Sequence, residues 1–318
     1  MDEFDLIKQY FRRQHSCDGV VVDNGDDCAI VELAASERLV FSIDTMVEGR
    51  HFLADMAPQD LGYRALATAL SDLAAMGAEP RYFTLALTLP AVDHQWLAGF
   101  SQGLFELAEQ HDMALLGGDT TRGPLTITIQ VHGVITDDAY LSRAGAKVDD
   151  IIAVTGSIGD AAAGLQLLLR EQEAADAFLL SRFLRPTARV AEGQALLPYS
   201  CCGIDISDGL LADLGHLVAA SEVAAIVDVN ALPTSKALGF IDDVDERQRY
   251  QLTGGDDYEL CVAIAPDRWS QAKAYFAAQG WPLTAVGRIV AANSQADAIS
   301  LRGSDSEILA QQTGFKHF

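Results

Sequence analysis

Residues 203–214, Gly-Ile-Asp-Ile-Ser-Asp-Gly-Leu-Leu-Ala-Asp-Leu, constrain the chain more than any other stretch. They predict the end of a short buried strand, a turn carrying acids, and the start of an apolar helix. Ser207 or Asp208 can cap that helix, and Gly209 eases the turn. A cap accounts for one of the two acids, Asp205 and Asp208, and leaves the other without a partner. The same grammar, Gly or Ser followed by Asp at the edge of an apolar run, recurs at Gly25-Asp26-Asp27, Ser42-Ile43-Asp44, Ser71-Asp72, Gly117-Gly118-Asp119-Thr120 and Gly254-Gly255-Asp256-Asp257. The expectation is a fold that gathers these carboxylates around metal ions and phosphates.

Convergence has an electrostatic consequence. Two unit charges about 4 Å apart repel by about 1 kcal/mol in water and about 4 kcal/mol at an effective dielectric of 20. Asp27, Asp44, Asp72, Asp119, Asp205 and Asp208 therefore cannot all ionise side by side unless cations offset them. Oxygen-only donors favour Mg2+, Ca2+ or Mn2+, and the seven histidines show no HxxH or HExxH spacing for zinc. Hard cations beside Gly-rich turns suit a nucleotide polyphosphate. Each motif also has a plainer reading. Gly25-Asp26-Asp27 can be a simple turn, and Asp72 can pair with an arginine or cap another helix. The loop 156–160 lacks the GxxxxGK[ST] of a P-loop and reads as a tight strand-to-helix turn.

The chain has 318 residues, 49% of them apolar and 21% charged, enough for two globular domains. A net charge of −23 argues against a nucleic-acid partner or an anionic membrane surface. Five cysteines without CxxC spacing argue against a disulfide framework or a zinc site. No basic-then-apolar leader and no apolar run of transmembrane length is read, so a cytoplasmic protein is expected. Periodicity predicts helices over 2–15, 58–77, 95–110, 161–169, 188–197 and 268–279. Strands are expected over 28–33, 38–43, 82–89, 114–116, 125–131, 151–155, 224–229 and 283–289. Residues 125–131 alternate strictly, as a half-exposed strand does. Asp72 falls in a helix that is apolar on most sides, where an isolated charge is costly. The mixed polar stretch 136–150 marks a boundary, with domains at 1–137 and 148–318. Strands and helices alternate in both, an α/β (α+β) architecture of two layered domains.

The ordered set GDDCAI, SIDTMVEGRHF, SDLAAMGAEP, GGDTT, SRAGA, DISDGL, LTGGDDYEL and the terminal GFKHF resembles the thiamine-monophosphate kinase family, over nearly the whole chain. That family belongs to the ATP-binding superfamily of aminoimidazole ribonucleotide synthetase and selenophosphate synthetase. The resemblance implies an N-terminal α/β domain that binds ATP and Mg2+ and dimerises through its sheet, with a C-terminal α/β domain completing the active site. It implies ATP-dependent phosphorylation of thiamine monophosphate to thiamine diphosphate, the last step of its biosynthesis, with several Mg2+ ions and a homodimer. Asp27, Ser42, Asp44, Asp72, Asp119, Asp205 and Asp208 match the family's metal positions. Gly118, Asp119, Arg143 and Ser207 match its ATP contacts, and His51, Asp256 and Phe315 lie at positions near the thiamine phosphate. Three positions depart from the pattern: Ile43 in place of a frequent Thr, so that a ligand there is its backbone carbonyl, Arg50 in EGRHF, and Asp256 in place of a common Glu. No residue is assigned as nucleophile or general base. Rival readings are another ATP-dependent enzyme of the superfamily and a non-catalytic protein that binds divalent cations. Selenophosphate synthetases carry a reactive cysteine in a glycine-rich setting that Cys17 lacks. Hydrogenase-maturation relatives end in a cysteine, where this chain has Phe318.

Overall fold

The computed structural model describes residues 3–12, 17–24, 27–170, 176–293 and 298–303. They cluster as two units, Met1–Leu73 with Ala78–Asp138, and Ala74–Gly77 with Ala139–Phe318. The N-terminal unit runs α1 (Glu3–Leu6), a π-helical turn (Ile7–Phe11), β1 (Val20–Val22), β2 (Ile30–Val31), β3 (Glu37–Val47), α2 (Pro58–Met76), β4 (Glu79–Leu89), α3 (His94–Gln110), β5 (Ala114–Arg122) and β6 (Thr126–Thr136). Its sheet has the order β3-β6-β4-β5, antiparallel except for the parallel β4/β5 pair, which α3 connects. The strict alternation of the sixth strand is realised. Ile127, Ile129 and Val131 are buried, while Thr126, Thr128 and Gln130 stand on the other, half-open face.

α2 and α3 supply the apolar layer of this unit. Leu66, Leu70 and Leu73 of α2, and Leu97, Phe100 and Leu104 of α3, are fully buried. The two helices meet backbone to backbone, because a Cβ on Gly62 would lie 2.0 Å from the Phe100 carbonyl oxygen and one on Gly103 only 1.8 Å from that of Gln59. The sheet face opposite the buried one is open along β3, where Leu39, Phe41 and Ile43 are 43%, 62% and 60% exposed. Edges differ from expectation. The predicted helix over 2–15 ends at Phe11 among the described residues, and the strand expected over 28–33 shrinks to Ile30–Val31. β3 and β5 are longer than expected, because full-length partners β6 and β4 satisfy their backbone groups.

The C-terminal unit runs β7 (Ile151–Thr155), α4 (Asp160–Leu169), α5 (Ala177–Leu184), α6 (Val190–Leu196), β8 (Cys202–Ile206), α7 (Leu210–Ala220), β9 (Val223–Asp228), α8 (Val244–Thr253), β10 (Glu259–Ile264), α9 (Pro266–Gln279), β11 (Leu283–Ala291) and β12 (Ile299–Arg302). Its sheet order is β12-β9-β11-β7-β10-β8, antiparallel apart from β12 against β9. α7 buries Leu210, Leu214, Leu217 and Val218 against Ile204, Ile206, Val227 and Ile289 of that sheet. α5, α8 and β12 are additional to the sequence expectation. α8 has a largely polar composition and little apolar periodicity to betray it, but Asp243 caps it through the amides of Asp245 and Glu246.

Candidate functional site

In the N-terminal unit β3 and α2 bring three of the expected ligands together. The Ser42 hydroxyl donates to Asp72 Oδ2 at 2.5 Å. Asp44, two residues along the same strand and therefore on the same face, lies within the field of Asp72. Burial, and then the Asp72 charge, push the Asp44 carboxyl up to about 6. Asp72 itself is half-buried, not enclosed as its apolar helix suggested. The donors are all oxygen, and the two carboxylates repel each other, so the set fits a hard cation. Mg2+ is commonly held by one or two carboxylates together with substrate phosphates. Among the described residues no group of three or more His, Cys, Asp or Glu side chains is gathered as a metal site.

Asp119 is not brought to this pair. The expectation put it at a strand end, but it stands inside β5, paired with Ala86 of β4. β5 and β3 are opposite edges of the sheet, so Asp119 is about 14 Å from Asp44 by three strand spacings. Gly118 beside it has φ +156, and a Cβ there would meet the Leu85 carbonyl oxygen at 1.8 Å, so the close strand pairing requires glycine. Asp27 is exposed before β2. His51 Nδ1 accepts the amide of Val47 at 3.0 Å, which fixes the ring against the end of β3.

In the C-terminal unit the opening motif folds as strand, turn and helix, but its cap is different. Neither Ser207 nor Asp208 caps α7; Gly209 is the N-cap and carries no side-chain bond. Asp213, inside the helix, instead accepts the amides of Ser207, Asp208 and Gly209 at 3.0, 3.0 and 3.1 Å through one oxygen, Oδ2. Burial pushes Asp213 up to about 7, against three bonds that favour its charged form. Ser207 and Asp208 stay half-exposed at the turn, and Asp205 is buried at the end of β8. Arg143 is exposed, and its carbonyl accepts the Ser221 hydroxyl at 3.0 Å.

The segment 254–258 lies along the same turn. Asp256 N donates to Ser207 O and Tyr258 N to Ile206 O, each at 2.8 Å. Both residues adopt positive φ, +70° and +52°, a conformation that is uncommon for a tyrosine and requires fixed surroundings. The Tyr258 hydroxyl donates to Asp256 Oδ1 at 3.0 Å. Those surroundings include Asp257, which the recurring motif placed among the carboxylates around metal ions but which is turned inward, and Glu259, which sequence reasoning did not single out. Asp257 is fully buried and accepts the amides of Gly159 and Ala161, so the turn before α4 is closed by an internal carboxylate. That bears out a tight turn over a phosphate cradle. Glu259, also fully buried, takes Thr155 Oγ1 at 2.7 Å, Arg182 Nη2 at 2.9 Å and Arg189 Nε at 2.7 Å. Breaking such a buried pair leaves an uncompensated charge and costs about 3–5 kcal/mol. The signal was present in the alternation Asp257, Glu259 leading into an apolar strand, where acids persist only if paired. Phe315, expected near a substrate phosphate, lies outside the described residues, as do Gly25 and Asp26.

Comparison with known proteins follows the same division. Residues 25–135 match the N-terminal domain and residues 147–298 the C-terminal domain of the AIR synthase related proteins. The thiamine-monophosphate kinase of Escherichia coli (strain K12) is 46% identical over 294 residues, 91% of this chain and 90% of its own length. The crystal structure of thiamine-monophosphate kinase from Stenotrophomonas maltophilia K279a superposes with a TM-score of 0.87 at 40% identity, covering 96% of this chain and 98% of that one. A structure described as AaThiL complexed with AMPPCP and TMP gives 0.78 at 29% identity over 99% and 96% of the two chains.

Proposed function

The chain belongs to the AIR synthase related family and within it to the thiamine-monophosphate kinases, and we propose on that premise that it transfers the terminal phosphoryl group of ATP to thiamine monophosphate. The observation that carries this reading is the match, over 99% of the chain, to a relative complexed with AMPPCP and TMP. The oxygen-only cluster of Ser42, Asp44 and Asp72 supports it independently.

The acceptor needs no strong base. A phosphate monoester has a second pKa of about 6, so its attacking oxygen is already anionic at pH 7. The obstacle is bringing one anion up to another, and positioning and electrostatics carry such transfers. Mg2+ supplies charge neutralisation and alignment of the phosphate oxygens when bound. In the N-terminal unit Ser42, Asp44 and Asp72 are proposed to hold one ion together and Asp27 and Asp119 to hold others, with Gly118 and Asp119 toward the nucleotide. In the C-terminal unit Asp205 and Asp208 offer carboxylates, while Ser207 and Arg143 contact ATP. His51 and Asp256 face the acceptor phosphate. The His51 ring accepts the Val47 N–H on Nδ1, so its own proton sits on Nε2. The proposed domains are 1–137 and 148–318.

The test uses ATP labelled at its terminal phosphate. Direct transfer is expected to place the label in the terminal phosphate of thiamine diphosphate, with ADP as the other product. Release of AMP, or label retained covalently on the protein, would reject it.

A homodimer is part of the same proposal, with a second copy covering the open face of β3. Burying large apolar groups contributes about 25 cal/mol per Å2, and Leu39, Phe41 and Ile43 lie exposed along one strand. Phe41→Asp is expected to shift the protein from dimer to monomer in sedimentation at micromolar concentration. A wild-type chain that already sediments as a monomer there sinks the idea. A cytoplasmic location is part of the same proposal. The five cysteines are all thiols, and among the described residues no helix is long and apolar enough to cross a membrane.

A further inference from the structure

We propose that Asp213 is a positioning residue for Mg2+–nucleotide binding, acting through the turn that carries Ser207 and Asp208; this rests on the kinase reading above. One oxygen of Asp213 gathers three successive amides, those of Ser207, Asp208 and Gly209, at 3.0–3.1 Å. The side chain is 4% exposed, while Ser207 and Asp208 stay half-open. A backbone that turns three N–H groups inward to one atom leaves its side chains free to point away from that atom.

The geometry serves the turn as well as the helix. A residue stabilising only α7 would reach back no further than the N-cap amide, that of Gly209. Asp213 instead bonds the amides of the N-cap and of the two residues before it. Its own amide bonds the Gly209 carbonyl at 3.0 Å, the first hydrogen bond of α7, so one residue joins the turn to the helix. From the other side the turn is held by Asp256 N on Ser207 O and Tyr258 N on Ile206 O. Gly209, at φ +114, has no lateral room either, since a Cβ would meet the Thr253 carbonyl carbon at 2.9 Å. The turn is therefore set by one carboxylate between two backbone contacts. An acceptor of three N–H groups is best as an anion, because bonds to an ionised oxygen are about twice as strong as neutral ones.

The experiment compares the full-length wild type with Asp213→Asn and Asp213→Ala by calorimetric titration of Mg2+ and a non-hydrolysable ATP analogue. Thermal unfolding and the KM for each substrate are measured alongside. Asp213→Asn keeps the volume and one oxygen acceptor, so it is expected to fold. Its Kd for the Mg2+–analogue should rise about 10- to 100-fold, the range for groups that orient ligands from behind. Its KM for thiamine monophosphate should stay close to that of the wild type, and Asp213→Ala should bind more weakly still. A folded Asp213→Asn that binds with the wild-type Kd, and differs only in melting temperature, overturns the proposal and leaves Asp213 a purely structural residue. If Asp213→Ala does not fold, Asp213→Asn decides alone. A wild type that binds the Mg2+–analogue but forms no thiamine diphosphate rejects the kinase reading, and the Kd comparison still tests Asp213. A wild type that does not bind the Mg2+–analogue overturns both.

Discussion

Asp72→Asn is expected to lose turnover by about 100-fold or more, the scale on which removing one preorganised electrostatic contact acts, while the protein stays folded. Asp72 accepts the Ser42 hydroxyl through Oδ2, and an asparagine carbonyl can accept the same bond. Its neighbours along α2, Leu66, Ala69, Leu70 and Leu73, are buried and undisturbed by a substitution of equal volume. The charge is what changes. In the metal-free protein the Asp72 charge helps push Asp44 up to about 6, from an ordinary 3.8. A carboxyl whose folded pKa is raised contributes less stability as pH climbs through that window, so at pH 7 the like-charged pair is a cost. Removing one charge relieves it. The melting temperature of the metal-free variant should therefore equal or exceed that of the wild type at pH 7, while steady-state turnover collapses. Near-normal turnover would reduce Asp72 to a structural acid. Lost turnover accompanied by unfolding would remove the electrostatic explanation.

The second large effect concerns metal removal. Chelation should abolish turnover, and in thermal unfolding Mg2+ with ATP should stabilise the protein by more than the sum of the two alone. Without cations Asp44 and Asp72 repel each other, and both repel the phosphates of the nucleotide. A ligand at 100 times its Kd adds about 2.7 kcal/mol, and for chains of this size that raises Tm by on the order of 5 °C. ATP alone should give little of this. Equal shifts from ATP with and without Mg2+ would remove the cation from the argument, and full turnover in excess chelator would do so more directly.

The ordered motifs carried the family assignment because they are local. Residues 203–214 form strand, turn and helix, and α2 and the alternating face of β6 follow from periodicities that each segment satisfies by itself. The Ser42–Asp44 strand and the Asp72 helix were legible as elements, and so was the choice of oxygen chemistry.

Which acids meet was not legible, because it depends on strand order and on what closes each turn. Pairing with β4 extends β5 through Gly117–Arg122 and carries Asp119 to the edge opposite Asp44. The cap of residues 207–209 comes from Asp213 inside the helix, so that Ser207 and Asp208 remain open. Asp257 and Glu259 share a motif with Asp256, yet they are buried on Gly159, Ala161, Arg182 and Arg189, residues about 70 to 100 positions away in the chain. Local sequence determined the kind of chemistry these residues can perform, since residue type and nearest-neighbour pattern decide strand, turn, helix and donor set. The tertiary structure alone decided which carboxylates bond the protein's own amides and arginines and which stay open, because a buried charge persists only where distant segments bring it a partner.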